Sequence, residues 1–201
     1  MPVAMGTRAV AAALRIAAAD GWEAATLDRI AEEAEITLEE LQDMFASRMA
    51  LLDAFIADID HDMLGRAEES GDGDGPRDRL FNVIMARYDA LRPYRDAFTA
   101  IARGAARDLP TAWTLAWTTR RSLQWMLAAA RIAPTGLQGE VKVQAVGAVL
   151  VATFWTWSRD ESEDMGATMA AVDRSLRGCE RVMGWVQKMP RPPGPRARRA
   201  R

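Results

Sequence analysis

Apolar residues recur at helical spacing along nearly the whole chain, and no stretch alternates apolar and polar in the way a half-buried strand requires. That pattern restricts the 201-residue chain to an all-α fold. Alanine, leucine, methionine and arginine dominate, and all are good helix formers. The spacing predicts a first helix over residues 7–19, capped by Thr7, with Val10, Ala13, Leu14 and Ala17 as its apolar stripe. Thr26 caps a second, short helix carrying Leu27, Ile30, Ala31 and Ala34 on one face. Thr37 caps a third, and Glu40 three residues later completes a capping box. Leu38, Leu41 and Phe45 are expected to face inward from it. Ser47 caps a long fourth helix in which Leu51, Leu52, Phe55, Ile56 and Ile59 recur. Beyond the glycine-rich break at residues 71–76, helices are predicted over 77–91, 93–107, 110–132, 140–159 and 163–188. Together these make about nine helices.

Three segments follow from this pattern: a head over residues 1–50, a helical body over 51–189 and a tail over 190–201. The tail holds four prolines, several arginines and no acids, so it cannot bury enough apolar area to fold and is expected to be disordered.

Bulk charge and composition exclude several classes. The net charge of −2 supplies no global attraction to nucleic acid. Cys179 is the only cysteine, which rules out an internal disulfide and points to a reducing cytoplasm. Arg8 and Arg15 interrupt the N-terminal alanine run, so no signal peptide is expected. The longest uncharged stretch, 143–158, falls short of the ~18 residues a membrane span needs. His61 is the only histidine, and its neighbours Asp60 and Asp62 do not share its face of a helix, so no metal site is expected. The repeat Gly71-x-Gly73-x-Gly75 is followed by no Gly-Lys-Ser/Thr and is not a phosphate loop. No nucleophile elbow is present, so neither a cofactor nor catalysis is expected.

Residues 9 to 56 resemble the head of the TetR family in Ala12-Ala13-Leu14, Asp20-Gly21-Trp22, Ala25-Thr26-Leu27, Ile30-Ala31, Ala34, Leu41, Phe45-Ala46-Ser47-Arg48 and Leu51-Leu52. The resemblance implies three helices, the second and third forming a helix-turn-helix whose third helix would enter a DNA major groove. Any DNA contact would fall to Arg29, Thr37, Gln42 and Arg48. The charges oppose it: residues 26 to 46 carry seven acids (Asp28, Glu32, Glu33, Glu35, Glu39, Glu40, Asp43) against Arg29 alone. The family usually has glycine where this chain has Glu35, and a phosphate-reaching aromatic where it has Gln42. Weak DNA binding at most is the expectation.

The body holds five tryptophans between residues 113 and 157. They either fill a core or line a cavity for an apolar guest. In the second reading the cavity is lined by Trp113, Trp117, Gln124, Trp125, Phe154 and Trp155. Val143, Val146, Gly147 and Leu150 recur at helical spacing, and the glycine permits close approach, so a homodimer interface is expected there. The last helix sets Trp185 and Met189 among Arg174, Arg177, Arg181 and Lys188, followed by the basic tail. It either contacts a membrane peripherally, at its inner face, through Trp185 and Met189, or packs in the dimer.

The run from Phe154 to Leu176 contains an aromatic-rich helix, then Asp160-x-Ser162-x-Asp164, then Thr168, then Val172-Asp173-Arg174. This resembles the C-terminal signature of a TetR-like lipid-binding accessory family of ubiquinone (coenzyme Q) biosynthesis. The resemblance implies an isoprenoid or quinone-like ligand and a membrane-associated hydroxylase as partner. The alternative is a transcriptional repressor responding to a small apolar effector.

Overall fold

The structure, a computed structural model, describes residues 2–68, 75–132 and 136–188. Among them lie nine α-helices and two 3₁₀ turns, with no strand. The helices are α1 (Pro2–Asp20), α2 (Leu27–Glu33), α3 (Leu38–Met44), α4 (Arg48–Ala67), α5 (Pro76–Leu91), α6 (Arg95–Ala105), α7 (Leu109–Ala129), α8 (Gly136–Trp157) and α9 (Gly166–Lys188). The proposed tail lies outside the described residues.

Local chemistry accounts for most boundaries. Thr37 caps α3 with its hydroxyl while the Glu40 carboxylate accepts from the Thr37 amide at 2.8 Å, the reciprocal box the sequence implies. The Ser47 hydroxyl accepts from Ala50 at the start of α4. α7 begins a residue early because Asp108, not Pro110, supplies its cap, accepting from Thr111 N at 3.1 Å. α9 begins at Gly166 rather than 163. Met165, at φ +51, interrupts the helix, and the side chains expected inside its first turn cap it from outside.

Packing builds the rest. α1 buries Ala9, Val10, Ala13, Leu14 and Ala17 and packs on α6, α2 and α4. Gly21, at φ +89, turns the chain so that Trp22 is buried beside α1 and α6. The Trp22 indole then donates to Thr111 Oγ1 on α7 at 2.9 Å. Head and body thus share one core. α4 runs through its middle, packed on both α5 and α7, and α8 and α9 pair on the far side. No helix among the described residues is long and apolar enough to cross a membrane.

Candidate functional site

The head builds a helix-turn-helix from α2 and α3. The turn closes as a helix-ending motif in which Ile36 N donates to Ala31 O and Glu35 N to Glu32 O. Glu35 carries the left-handed conformation this motif needs, at φ +54, the position at which glycine costs least. α3 buries Leu41 and exposes Leu38, Glu39, Gln42 and Asp43. Leu38, expected inside, is 55% exposed, because a seven-residue helix has only one narrow face to bury.

The four candidate DNA residues divide. Gln42 stands on the outer face of α3. Thr37 is committed to the capping box. Arg29 pairs with Asp20 at 2.7 Å. Arg48 is a structural residue: its guanidinium lies 5.0 Å over the Trp22 ring, donates to Trp22 O at 3.1 Å and sits 3.6 Å from Asp108. The Thr26 hydroxyl and nearby backbone amides hold the Asp28 carboxyl below its usual range, so that acid keeps its charge. The outward face is acidic in three dimensions as well as in sequence.

An open-sided cavity of about 320 Å³ lies among α5, α6, α7 and α8. Phe98, Leu115, Leu150, Phe154 and Trp155 form apolar walls, and Arg87, Tyr88 and Thr119 supply polar groups. Two of the proposed ligand residues, Phe154 and Trp155, meet here with ring centroids 4.9 Å apart. The other four do not join them. Trp113, Trp117 and Trp125 are 73%, 62% and 51% exposed, and Gln124 is exposed beside them. α7 instead turns Thr111, Thr118, Ser122 and Met126 inward. The expected dimer residues are also corrected. Val143, Val146 and Leu150 are buried inside the protomer, and a Cβ on Gly147 would meet Leu123 Cδ1 at 3.2 Å, so this face has no surface to offer a second copy. The Trp185 side chain and Met189 lie outside the described residues.

Arg87 and Asp60 are functional candidates that apolar periodicity alone does not single out. Arg87 Nη1 reaches Asp60 Oδ1 on α4 at 2.5 Å and Ser122 Oγ on α7 at 2.8 Å, and Ser122 also bonds to Asp60. Arg87 and Asp60 are 4% and 5% exposed. A signal existed: Asp60 falls on the stripe Ile56, Asp60, Met63, and Arg87 follows Val83 and Ile84 on the apolar face of its helix. Beside them Tyr88 stacks on Trp157 at 5.3 Å and shares a 2.7 Å hydrogen bond with Thr153. Burial pushes the Tyr88 hydroxyl up to about 12, so it remains a neutral donor.

The Asp160-to-Arg174 run has a structural role of its own. Asp160, buried, accepts from Thr168 N and Thr168 Oγ1 at 2.7 Å each and from Ser162 Oγ. Ser162 Oγ and Asp164 Oδ1 both accept from Gly166 N. Burial raises the Asp160 carboxyl, and these donors outweigh it, leaving the group at about 2. Asp173 ties α9 to α5 by pairing with Arg77. The pattern that carries the quinone-family resemblance is therefore also a complete cap for α9. Among the described residues no cluster could hold a metal ion.

No protein-family profile matches the chain, and no curated protein matches it. Solved structures do. A TetR transcriptional regulator from Nitrosomonas europaea is 26% identical over 88% of this chain and 98% of its own, with a TM-score of 0.71. GusR of Salmonella enterica is 19% identical over 89% and 96%, with a TM-score of 0.65. A TetR transcriptional regulator from Rhodococcus sp. RHA1 is 21% identical over 90% and 96%, with a TM-score of 0.62. The chain has the fold of TetR-family transcriptional regulators.

Proposed function

We propose that this chain, having that fold, is a ligand-responsive transcriptional regulator: a compact apolar effector enters the cavity between α5 and α8 and alters DNA affinity through α4. One observation carries the reading. Arg87 lines the cavity, and its guanidinium is locked to Asp60 on α4, the helix that follows α3 and leads from the head into the body. A guest that shifts Arg87 must either move α4 or leave a buried carboxylate unpaired, which is costly. The walls select for shape and apolarity, while Tyr88 and Thr119 orient any polar group on the guest. The test uses duplexes selected from a random pool and apolar compounds whose quenching of tryptophan fluorescence is lost in Trp155→Phe. Such compounds should release the DNA. Compounds that bind and stabilise the protein yet leave the complex intact would refute the coupling.

Two copies are part of this proposal. The outward face of α8 exposes Val141, Ala148 and Val151, and α7 adds Trp113 and Trp117. Large apolar side chains exposed on neighbouring helices are what a second copy would cover.

A second reading keeps the fold and drops the DNA. The acidity of the α2–α3 face favours it, since each phosphate contact a regulator relies on is here opposed by a like charge. In that reading the protein holds an isoprenoid or quinone-like lipid for a membrane-associated hydroxylase. Native mass spectrometry separates the two: a retained lipid supports the carrier, and an empty protein that selects DNA supports the regulator.

A further inference from the structure

The cavity beside Arg87 holds few polar groups, and they are unequally occupied. Arg87 is the one charged residue that lines it among the described residues. Both hydrogen bonds of Arg87 leave from Nη1, to Asp60 Oδ1 at 2.5 Å and to Ser122 Oγ at 2.8 Å. Nε and Nη2 donate to no described residue, yet neither is sealed inside the core. Thr119, which also lines the cavity, likewise bonds to no described side chain or carbonyl. Tyr88, by contrast, spends its proton inside the wall. Its hydroxyl lies 2.7 Å from Thr153 Oγ1, whose own proton goes to Val149 O at 2.7 Å. What the cavity offers a guest is therefore donors.

The charge of the guest follows from Asp60. That carboxylate already neutralises the Arg87 cation, and Asp60 Oδ2 is buried with no hydrogen-bond partner. A carboxylate guest would set a second anion on the same guanidinium, beside an anion already short of donors, and the lining holds no other cation. An uncompensated buried charge is among the costliest groups a core can hold. A pure hydrocarbon, at the other extreme, would strip water from the Arg87 N–H groups and return nothing. A carbonyl oxygen satisfies those donors without adding charge.

We propose that the effector is a neutral carbonyl compound on a compact apolar frame, a ketone or an ester. Its oxygen accepts from the N–H groups of Arg87 that Asp60 leaves free, and its frame packs on Phe98, Phe154 and Trp155. The group that recognises the guest is then the same guanidinium that holds α4. The inference rests on the effector reading of this cavity and adds the class of guest. It does not depend on DNA binding.

Three probes on one frame separate the classes: cyclooctanone, cyclooctane and cyclooctanecarboxylate, with affinities measured by calorimetry on the full chain. Cyclooctanone should bind about tenfold more tightly than the carboxylate. In Asp60→Leu/Arg87→Met its affinity should fall about tenfold while that of cyclooctane holds. Infrared spectra of the bound, isotope-labelled ketone need no variant. The carbonyl stretch should lie below its frequency in hexane, as hydrogen bonding to the guanidinium requires, and return toward it in the double variant. If the double variant does not fold, the infrared shift and the carboxylate comparison still decide. Tighter binding of the carboxylate, an unshifted carbonyl stretch, or an equal fall for ketone and hydrocarbon in the double variant would overturn the proposal and leave the cavity reading in place. Failure of all three probes to bind would remove the effector cavity along with it.

Discussion

The guanidinium of Arg87 on α5 holds the carboxylate of Asp60 on α4 at 2.5 Å, in a core that admits almost no water to either. Breaking such a pair leaves one buried charge without its partner. Asp60→Asn or Arg87→Met alone should each cost about 3–5 kcal/mol in urea denaturation. The double variant Asp60→Leu/Arg87→Met should recover much of that loss. If the double variant is as unstable as the sum of the singles, the pair is not the coupled unit described.

Asp160 makes the C-terminal pair of helices acid-sensitive. Its carboxyl is held at about 2, below its ordinary value near 3.8. A depressed carboxyl contributes stability that is complete above its unfolded value and is lost as pH falls toward 2. Asp160→Asn should therefore lower stability by about 2 kcal/mol at pH 7 and flatten the decline between pH 4 and pH 2. Thermal melts of both proteins across that range measure it. A parallel decline in both would remove Asp160 from the account.

Glu35 and Arg48 separate head stability from DNA contact. Glu35→Gly relieves a left-handed backbone and should stabilise by up to about 1 kcal/mol. Arg48→Ala removes the contact over Trp22 and the bond to its carbonyl. It should destabilise by about 1–2 kcal/mol in the absence of any DNA. Denaturant midpoints at constant slope decide both.

The exposed face of α7 and α8 should hold two copies together. Light scattering is expected to give twice the 22.1 kDa chain mass for the parent protein. Val141→Asp with Trp117→Asp should give the single mass, since both side chains already face solvent and the fold does not need them. A dimer that survives this pair would move the interface elsewhere.

What was legible in the sequence was local. The Thr37–Glu40 box, the Ser47 cap and the turn at Asp20-Gly21 depend on neighbours a few residues apart, and the structure has each of them. The burial of α7 was not legible. Its tryptophans at 113 and 117 mark a stripe, but periodicity does not say which side of a helix meets the core. Here the core takes the hydroxyl side because Trp22 donates to Thr111, and Ser122 bonds with Asp60 and Arg87. Those partners are 35 to 89 residues away, beyond any local pattern. The apolar run of α8 misled for a related reason: Val143, Val146 and Leu150 suit an interface and a subunit core equally well, and α7 and α9 occupy them first.

On the proposed reading, the acidic helix-turn-helix head of this fold still reads DNA. The most direct measurement is selection of bound duplexes from a random pool at physiological salt, followed by salt titration of the best sequence. The account predicts an enriched two-fold-symmetric site. It also predicts a shallow salt dependence, well below that of a protein making about 6–10 phosphate contacts, because few cations face outward. No enriched sequence after repeated rounds, with the protein folded and dimeric, would contradict it and leave the ligand-carrier reading standing.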